Sequence, residues 1–212
     1  VLSVYMANGT NTGREDFDAL YRYVQRYRLP DCGLMSWKIS ADGLTADTWS
    51  APDGDIDIAF ALVMAHRQWG SDGAINYLAE AQAYIANLMT YAVNKTNWNI
   101  SNAQFADTSL KNVCSYQIPY AFKVFHDVSG DSRWINVIKA AYDMFGHFQT
   151  LNPATGLVPN VCRMPTYVDF GDGNFKYGYD ASRIPWRVAV DYLWHGQALS
   201  PLAHALPLRN TT

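Results

Sequence analysis

The chain has 212 residues, 49% hydrophobic and only 17% charged, which suits one domain with a real core and argues against disorder. A net charge of −3 gives no electrostatic case for nucleic acid or an anionic membrane surface. Seven Trp and fourteen Tyr exceed what such a core needs. Flat rings of this kind fill cores and interfaces, and they also form platforms for sugars.

Helical periodicity dominates, broken by polar, Gly-rich connections. Phe17, Leu20, Tyr21 and Val24 share one face of a first predicted helix over 15–27, which Pro30 stops. The stretch GLMSWKISADG (33–43) reads as irregular chain or a short hairpin. A second helix is predicted from Asp55 to Trp69, and its Ile56, Ile58, Ala59, Leu62 and Val63 go nearly all round, so it should be buried on most sides. A third, Gly73 to Val93, carries Ile75, Leu78, Ile85, Leu88 and Met89 on one stripe and Asn76, Glu80 and Gln82 opposite, the pattern of an outer helix. After a polar loop (94–112), helices are predicted over 116–128, 132–149 and 180–194. The segment 151–179 between the last two is too long to be idle in a compact domain. Alternation of buried and amphipathic helices points to an all-α fold of layered pairs, an α/α toroid. A closed barrel of that kind takes about a dozen helices, so the six predicted here imply an incomplete one.

Cys32, Cys114 and Cys162 match neither a disulfide framework nor a zinc pattern and are expected to be buried thiols. His66, His126, His147, His195 and His204 show no metal-ligand spacing, and no cofactor motif is present. No run reaches the roughly 18 apolar residues of a membrane span. The sequence opens at Val1 without the zones of a signal peptide, which fits a processed chain or a fragment. Asn94 and Asn99 head Asn-x-Thr/Ser patterns to which no function is assigned.

Two segments concentrate carboxylates where chemistry is plausible. In SAPDGDIDIAF, Asp53, Asp55 and Asp57 stand at alternate positions at the mouth of an apolar helix. The spacing is that of a calcium loop, but the required Gly and Glu are replaced by Ile58 and Met64. Helix-start chemistry accounts for one or two of the three, because carboxylates complement free N–H groups and the helix dipole. Asp53 or Asp55 is then the candidate to face a polar cavity. In YGYDASRIPWR, Asp180 and Arg183 are three apart and can pair at a helix start. The pair reads either as a surface cap or as a base held ionised by a guanidinium, with Tyr179 beside it. Inverting glycoside hydrolysis needs such a base, with a separate acid about 6.5–9.5 Å away.

These segments resemble glycoside hydrolase family 8. The signature Ala, Ser/Thr, Asp, Ala/Gly, Asp, two free positions, Ile/Met, Ala, and later Ala-x-x-x-Trp fits from Ala51 to Trp69, departing only at Pro52. FDALYRYV, GLMSWKI, WGSDGAINYLAEAQAYIANL, SGDSRW, TGLVPNVC and YDASR…WRVAVDYLW are similar, in the same order, to segments of bacterial family 8 endoglucanases. The resemblance implies an (α/α)6 barrel, a single catalytic domain over 1–212, and secreted bacterial enzymes that invert while cleaving β-1,4-linked polysaccharides. It implies Asp180 as general base, Arg183 as its ion-pair partner, and Asp53 at the cleavage subsite with Asp55 supporting it. Trp37 is implied as a stacking platform, and Tyr116 and Tyr179 as cleft tyrosines. Glucan is the leading substrate, with xylan and chitosan as alternatives within the family. The family's acid is a Glu in a Ser-Glu-Gly segment, upstream of the part that VYM (4–6) resembles. Glu15 and Glu80, the two glutamates of the chain, fit neither place nor role. A second stacking Trp of the family is replaced by Gln104-Phe105-Ala106, and ALSPLAHALPLRNTT (198–212) resembles nothing in it. A barrel truncated at both ends is therefore expected, with self-association to cover its apolar faces and a non-catalytic glycan-binding remnant as the alternative function.

Overall fold

In a computed structural model that describes residues 10–44, 46–104 and 111–196, the helical pattern becomes six α-helices. The stretches VYM and ALSPLAHALPLRNTT, Phe105, Ala106 and His204 lie outside the described residues. Helix α1 (Arg14–Arg26) buries Phe17 and Tyr21, while Leu20 stays 65% exposed. Helix α2 (Pro52–Trp69) starts three residues earlier than periodicity suggests, because proline is pre-organised for the first helical position. Both Asp53 and Asp55 therefore fall in its first turn. Helix α3 (Tyr77–Asn87) starts later than Gly73, where the Asn76 side chain caps it by accepting from the Ala79 amide at 3.0 Å. It runs on into a π-helical turn, Leu88–Ala92.

Helix α4 (Pro119–Ser129) also begins at a proline, and the expected start at Tyr116 belongs instead to a separate 3₁₀ turn, Cys114–Tyr116. Helix α5 (Arg133–Leu151) and helix α6 (Arg183–His195) complete the set. The segment predicted as one long loop contains strand β2 (Val161–Arg163), paired antiparallel with β1 (Lys111–Val113). The 33–50 region is a bridged ribbon, with Ser36 opposite Ser50 and Ile39 opposite Ala46.

The helices form two layers. α2, α4 and α6 lie side by side, with α3 backing α2 and α5 backing α4. α1 joins through Phe17, whose ring meets Trp69 of α2 and Tyr77 of α3 edge-on at 5.6 and 5.5 Å. This is the inner-and-outer arrangement of an α/α toroid, and the near-complete burial of α2 follows from its inner position. Trp134 of α5 is fully buried, stacked on Phe122 and edge-on to Phe125 of α4. Trp134→Ala is expected to destabilise the protein by about 3–5 kcal/mol, read as a lower urea midpoint, because a backing helix cannot collapse into so large a void.

The free side of the inner row is apolar. Leu20, Phe60, Tyr120, Trp186 and Trp194 line an open groove of about 520 Å³, and Trp194 stacks on Phe60 at 5.8 Å while 54% exposed. Leu20 faces this groove rather than the core, so the stripe of α1 serves two surfaces. All three cysteines are free and buried, with the Cys114 and Cys162 sulfurs 3.1 Å apart. Asn94 and Asn99 are buried too, and the Asn94 side-chain Oδ1 accepts from the amides of Thr96 and Asn97. Among the described residues no helix is long and apolar enough to cross a membrane.

Candidate active site

The N-terminal ends of the three inner helices meet at one end of the layer, where α2 and the turn into α6 bring the carboxylates and the turn before α4 brings Tyr116. Asp53 sits in the first turn of α2, and Asp180 in the turn that leads into α6. Arg183, first residue of α6, spans the gap: its Nη1 lies 2.6 Å from Asp53 Oδ2 and its Nη2 3.0 Å from Asp180 Oδ1. The pairing of Asp180 with Arg183 was legible from their spacing. The bridge to Asp53, 130 residues away, was not. One guanidinium thus holds two carboxylates side by side and offsets their mutual repulsion. The Asp180 side chain is 45% exposed, and its Oδ2 has no protein partner among the described residues, which leaves that oxygen open to a water.

Tyr116 completes the group. The Arg183 guanidinium lies over its ring at 5.8 Å. Burial, and then the neighbouring Asp53 carboxylate, push its phenol well above the ordinary range, so it is a neutral hydrogen-bond donor. Tyr116 also lines a cleft of about 850 Å³ with Trp37, Trp49, Asp47, Ser50 and Gln104. Trp37 is 57% exposed on this cleft. Tyr179 is not brought to the others: its side chain is 93% exposed beside Asp180.

Asp55 is placed beneath the cleft instead of on its surface. It is 1% exposed, and its Oδ1 accepts from the Met35 amide at 2.8 Å, which fixes the strand that carries Trp37. It thus supports the Trp37 segment from below and offers no surface of its own to the cleft. Burial raises its carboxyl to about 7. Asp57 turns to the other side of α2. Burial raises its carboxyl as well, and the buried Arg187 of α6 opposes that shift.

Asn160 is a site residue that periodicity and spacing gave no means of finding. Its Oδ1 accepts from the Ala181 amide at 2.9 Å, and its carbonyl accepts from the Cys114 amide at 3.0 Å. One buried residue in the long 151–179 segment therefore ties the Asp180 turn, through its side chain, to the Tyr116 turn, through its backbone. Gly178 is required there, because a Cβ would lie 2.7 Å from Asn160 Nδ2. Arg187 secures the Tyr116 turn from the other side by donating from Nη1 to the Ser115 carbonyl. Asn160→Ala orphans a buried amide and is expected to cost about 1–3 kcal/mol, measured by urea unfolding. The same variant should weaken ligand binding more than an exposed substitution of equal stability cost.

Glu80 lies away from this site, with Oε2 2.9 Å from Arg28 Nη2 and a hydrogen bond from the Tyr21 hydroxyl. Glu15 is exposed in the first turn of α1. Among the described residues no His/Cys/Asp/Glu cluster could hold a metal ion.

The fold and site together define an α/α protein of layered helix pairs, with two carboxylates on one arginine beside an aromatic and polar cleft. The sequence matches the model of glycosyl hydrolases family 8 over residues 2–210, and the chain belongs to that family. It is 38% identical over 201 residues to endoglucanase C of Ruminiclostridium cellulolyticum, covering 93% of this chain and 42% of that protein. The apo structure of a β-1,3-1,4-glucanase from Paenibacillus sp. X4 superposes with a TM-score of 0.81 at 31% identity, covering 90% of this chain and 54% of that one. A reducing-end xylose-releasing exo-oligoxylanase of Paenibacillus barcinonensis is more distant, 28% identical over 197 residues, covering 86% of this chain and 51% of that protein. The chain thus spans about half the length of the relatives it matches. Its helix layers are part of the family's (α/α)6 barrel.

Proposed function

We propose that the chain carries the base side of an endo-acting, inverting hydrolase of β-1,4-linked glucan. The observation that carries this reading is the Arg183 bridge, which sets Asp180 and Asp53 together at the cleft. In this reading Asp180, paired with Arg183, takes a proton from a water at its open oxygen, and that water attacks the anomeric carbon from the face opposite the leaving sugar. Asp53 holds the ring in its distorted form, with Tyr116 donating beside it. Trp37 stacks a sugar farther along the cleft, and the exposed Tyr179 lies beside the base. Protonation of the leaving oxygen falls to a group other than Glu15 and Glu80, both of which lie elsewhere. Glucan is favoured over xylan because the endoglucanase relative is the more similar one. A polymeric substrate of this kind is met outside the cell, so a secreted bacterial enzyme of cellulose degradation is part of the proposal.

The test is proton NMR of products released from lichenan or carboxymethylcellulose. The α-anomer appearing first supports the reading, and purified protein that releases nothing overturns it for this chain. A second reading, a glycan-binding module that does not cut, is favoured by the position of the two glutamates away from the cleft. Calorimetry that detects no binding of cellopentaose removes it. For the 212-residue chain on its own we also propose self-association through the apolar groove of α1, α2 and α6, whose exposed rings favour burial. A concentration-independent monomer in sedimentation velocity would sink that.

A further inference from the structure

Trp49 carries no role in the chemistry above, and it stands on the same cleft as Trp37. The two come from opposite strands of the 33–50 ribbon. Ser36 pairs antiparallel with Ser50, and the Trp37 amide donates to the Trp49 carbonyl at 2.9 Å. Residues 37 and 49 are therefore directly opposed, and opposed residues of an antiparallel pair project their side chains to one face. Both rings are more than half exposed, at 57% and 53%, and both line the 850 Å³ cleft that Tyr116 shares.

Large apolar rings left in water on a polar-walled cleft have the composition of a sugar site: a flat face for pyranose C–H groups, and hydrogen-bonding groups at the edge for hydroxyls. Asp47 supplies that edge, over a floor that includes the buried Ser50 and Gln104. The backbone under Trp49 is also fixed. Gln104 Nε2 donates to the Thr48 carbonyl at 2.7 Å, Gln104 Oε1 accepts from the Ser50 amide at 2.6 Å, and the Gln104 amide donates to Ser50 Oγ at 3.1 Å. The Trp49 amide itself donates to Asp47 Oδ1 at 3.2 Å. Gln104 thus brackets Trp49 from both sides, so the ring is presented on an ordered support and loses little freedom on contact with ligand.

We propose that Trp49 is a second stacking surface, which with Trp37 forms a two-ring platform for an additional unit of a β-linked glucan chain beyond those held at the carboxylates. The inference rests on the glucan reading above and adds a subsite to it. It is tested by calorimetry of the full chain with cellotriose, cellotetraose, cellopentaose and cellohexaose, comparing the unsubstituted protein with Trp49→Ala, Trp49→Phe and Trp37→Ala. Affinity of the unsubstituted protein is expected to rise with oligosaccharide length. Trp49→Ala should flatten that rise, weakening the longest ligand by about 10-fold while sparing the shortest that binds. Trp49→Phe should restore most of the loss, and unchanged thermal unfolding should show that the variant is folded. Unaltered length dependence in Trp49→Ala, or equal weakening at every length, overturns the platform and leaves the glucan reading standing. Failure of the unsubstituted protein to bind any of the four overturns both.

Discussion

Asp180→Asn is expected to lower glucan hydrolysis by a factor of about 10²–10⁴ while leaving oligosaccharide affinity within a few-fold of the original. Asparagine keeps an oxygen that can accept from Arg183 Nη2, now 3.0 Å from Asp180 Oδ1, so the geometry survives. What disappears is the lone pair able to take a proton from water. The loss should thus fall in kcat, with KM little changed, as for a group that acts only on the way to the transition state. Reducing-sugar release at several substrate concentrations, with calorimetry alongside, separates the two. Asp53→Asn should behave differently. It weakens the charged contact to Arg183 Nη1 and the grip on the sugar together, so affinity falls as well. Equal rates for Asp180→Asn and the unsubstituted protein would remove Asp180 from the role of base.

The second large effect is a stability that changes with pH through Asp55. Its carboxyl is raised to about 7 by burial, against about 3.9 for a free aspartate. The folded state then holds a proton that the unfolded state releases first. This contribution is fully present below about pH 4, is lost as pH rises toward about 7, and is flat beyond, amounting to something on the order of 4 kcal/mol. Asp55→Asn removes the titration and keeps an oxygen for the Met35 amide. Its amide nitrogen takes the place of the buried Oδ2 near the Tyr84 hydroxyl, a cost that does not vary with pH. The variant should therefore gain on the unsubstituted protein steadily between pH 4 and 7, whatever its starting offset. Urea midpoints at four or five pH values measure this, and parallel curves would show that Asp55 does not titrate in that window.

The helices were legible because their apolar faces repeat at the helical period, and that repeat survives in α1, α5 and α6 to within a few residues at each end. The starts of α2 and α4 are set by Pro52 and Pro119, a local steric preference that periodicity overlooks. The Asp180–Arg183 pair was legible for the same local reason, a spacing of three. Its extension to Asp53 depends on how two inner helices dock, and no short-range pattern encodes that. Asn160 was hidden likewise, since its role lies in backbone partners contributed by two distant turns. Trp49 was passed over because a lone exposed ring has no periodic signature, and only the ribbon pairing sets it beside Trp37.

The Arg183–Asp53 contact also says when, during folding, this protein acquires its site. It closes a loop of 130 residues, whereas the capping and packing contacts of α3, α4 and α5 close within or between neighbours in the chain. Contacts of such long range form after local ones, since the entropy of closing the loop must be met before they contribute anything. Helical structure should therefore return early in refolding and ligand binding late. Stopped-flow circular dichroism alongside ligand binding would compare the two, and coincident rates would show that helices and site form together.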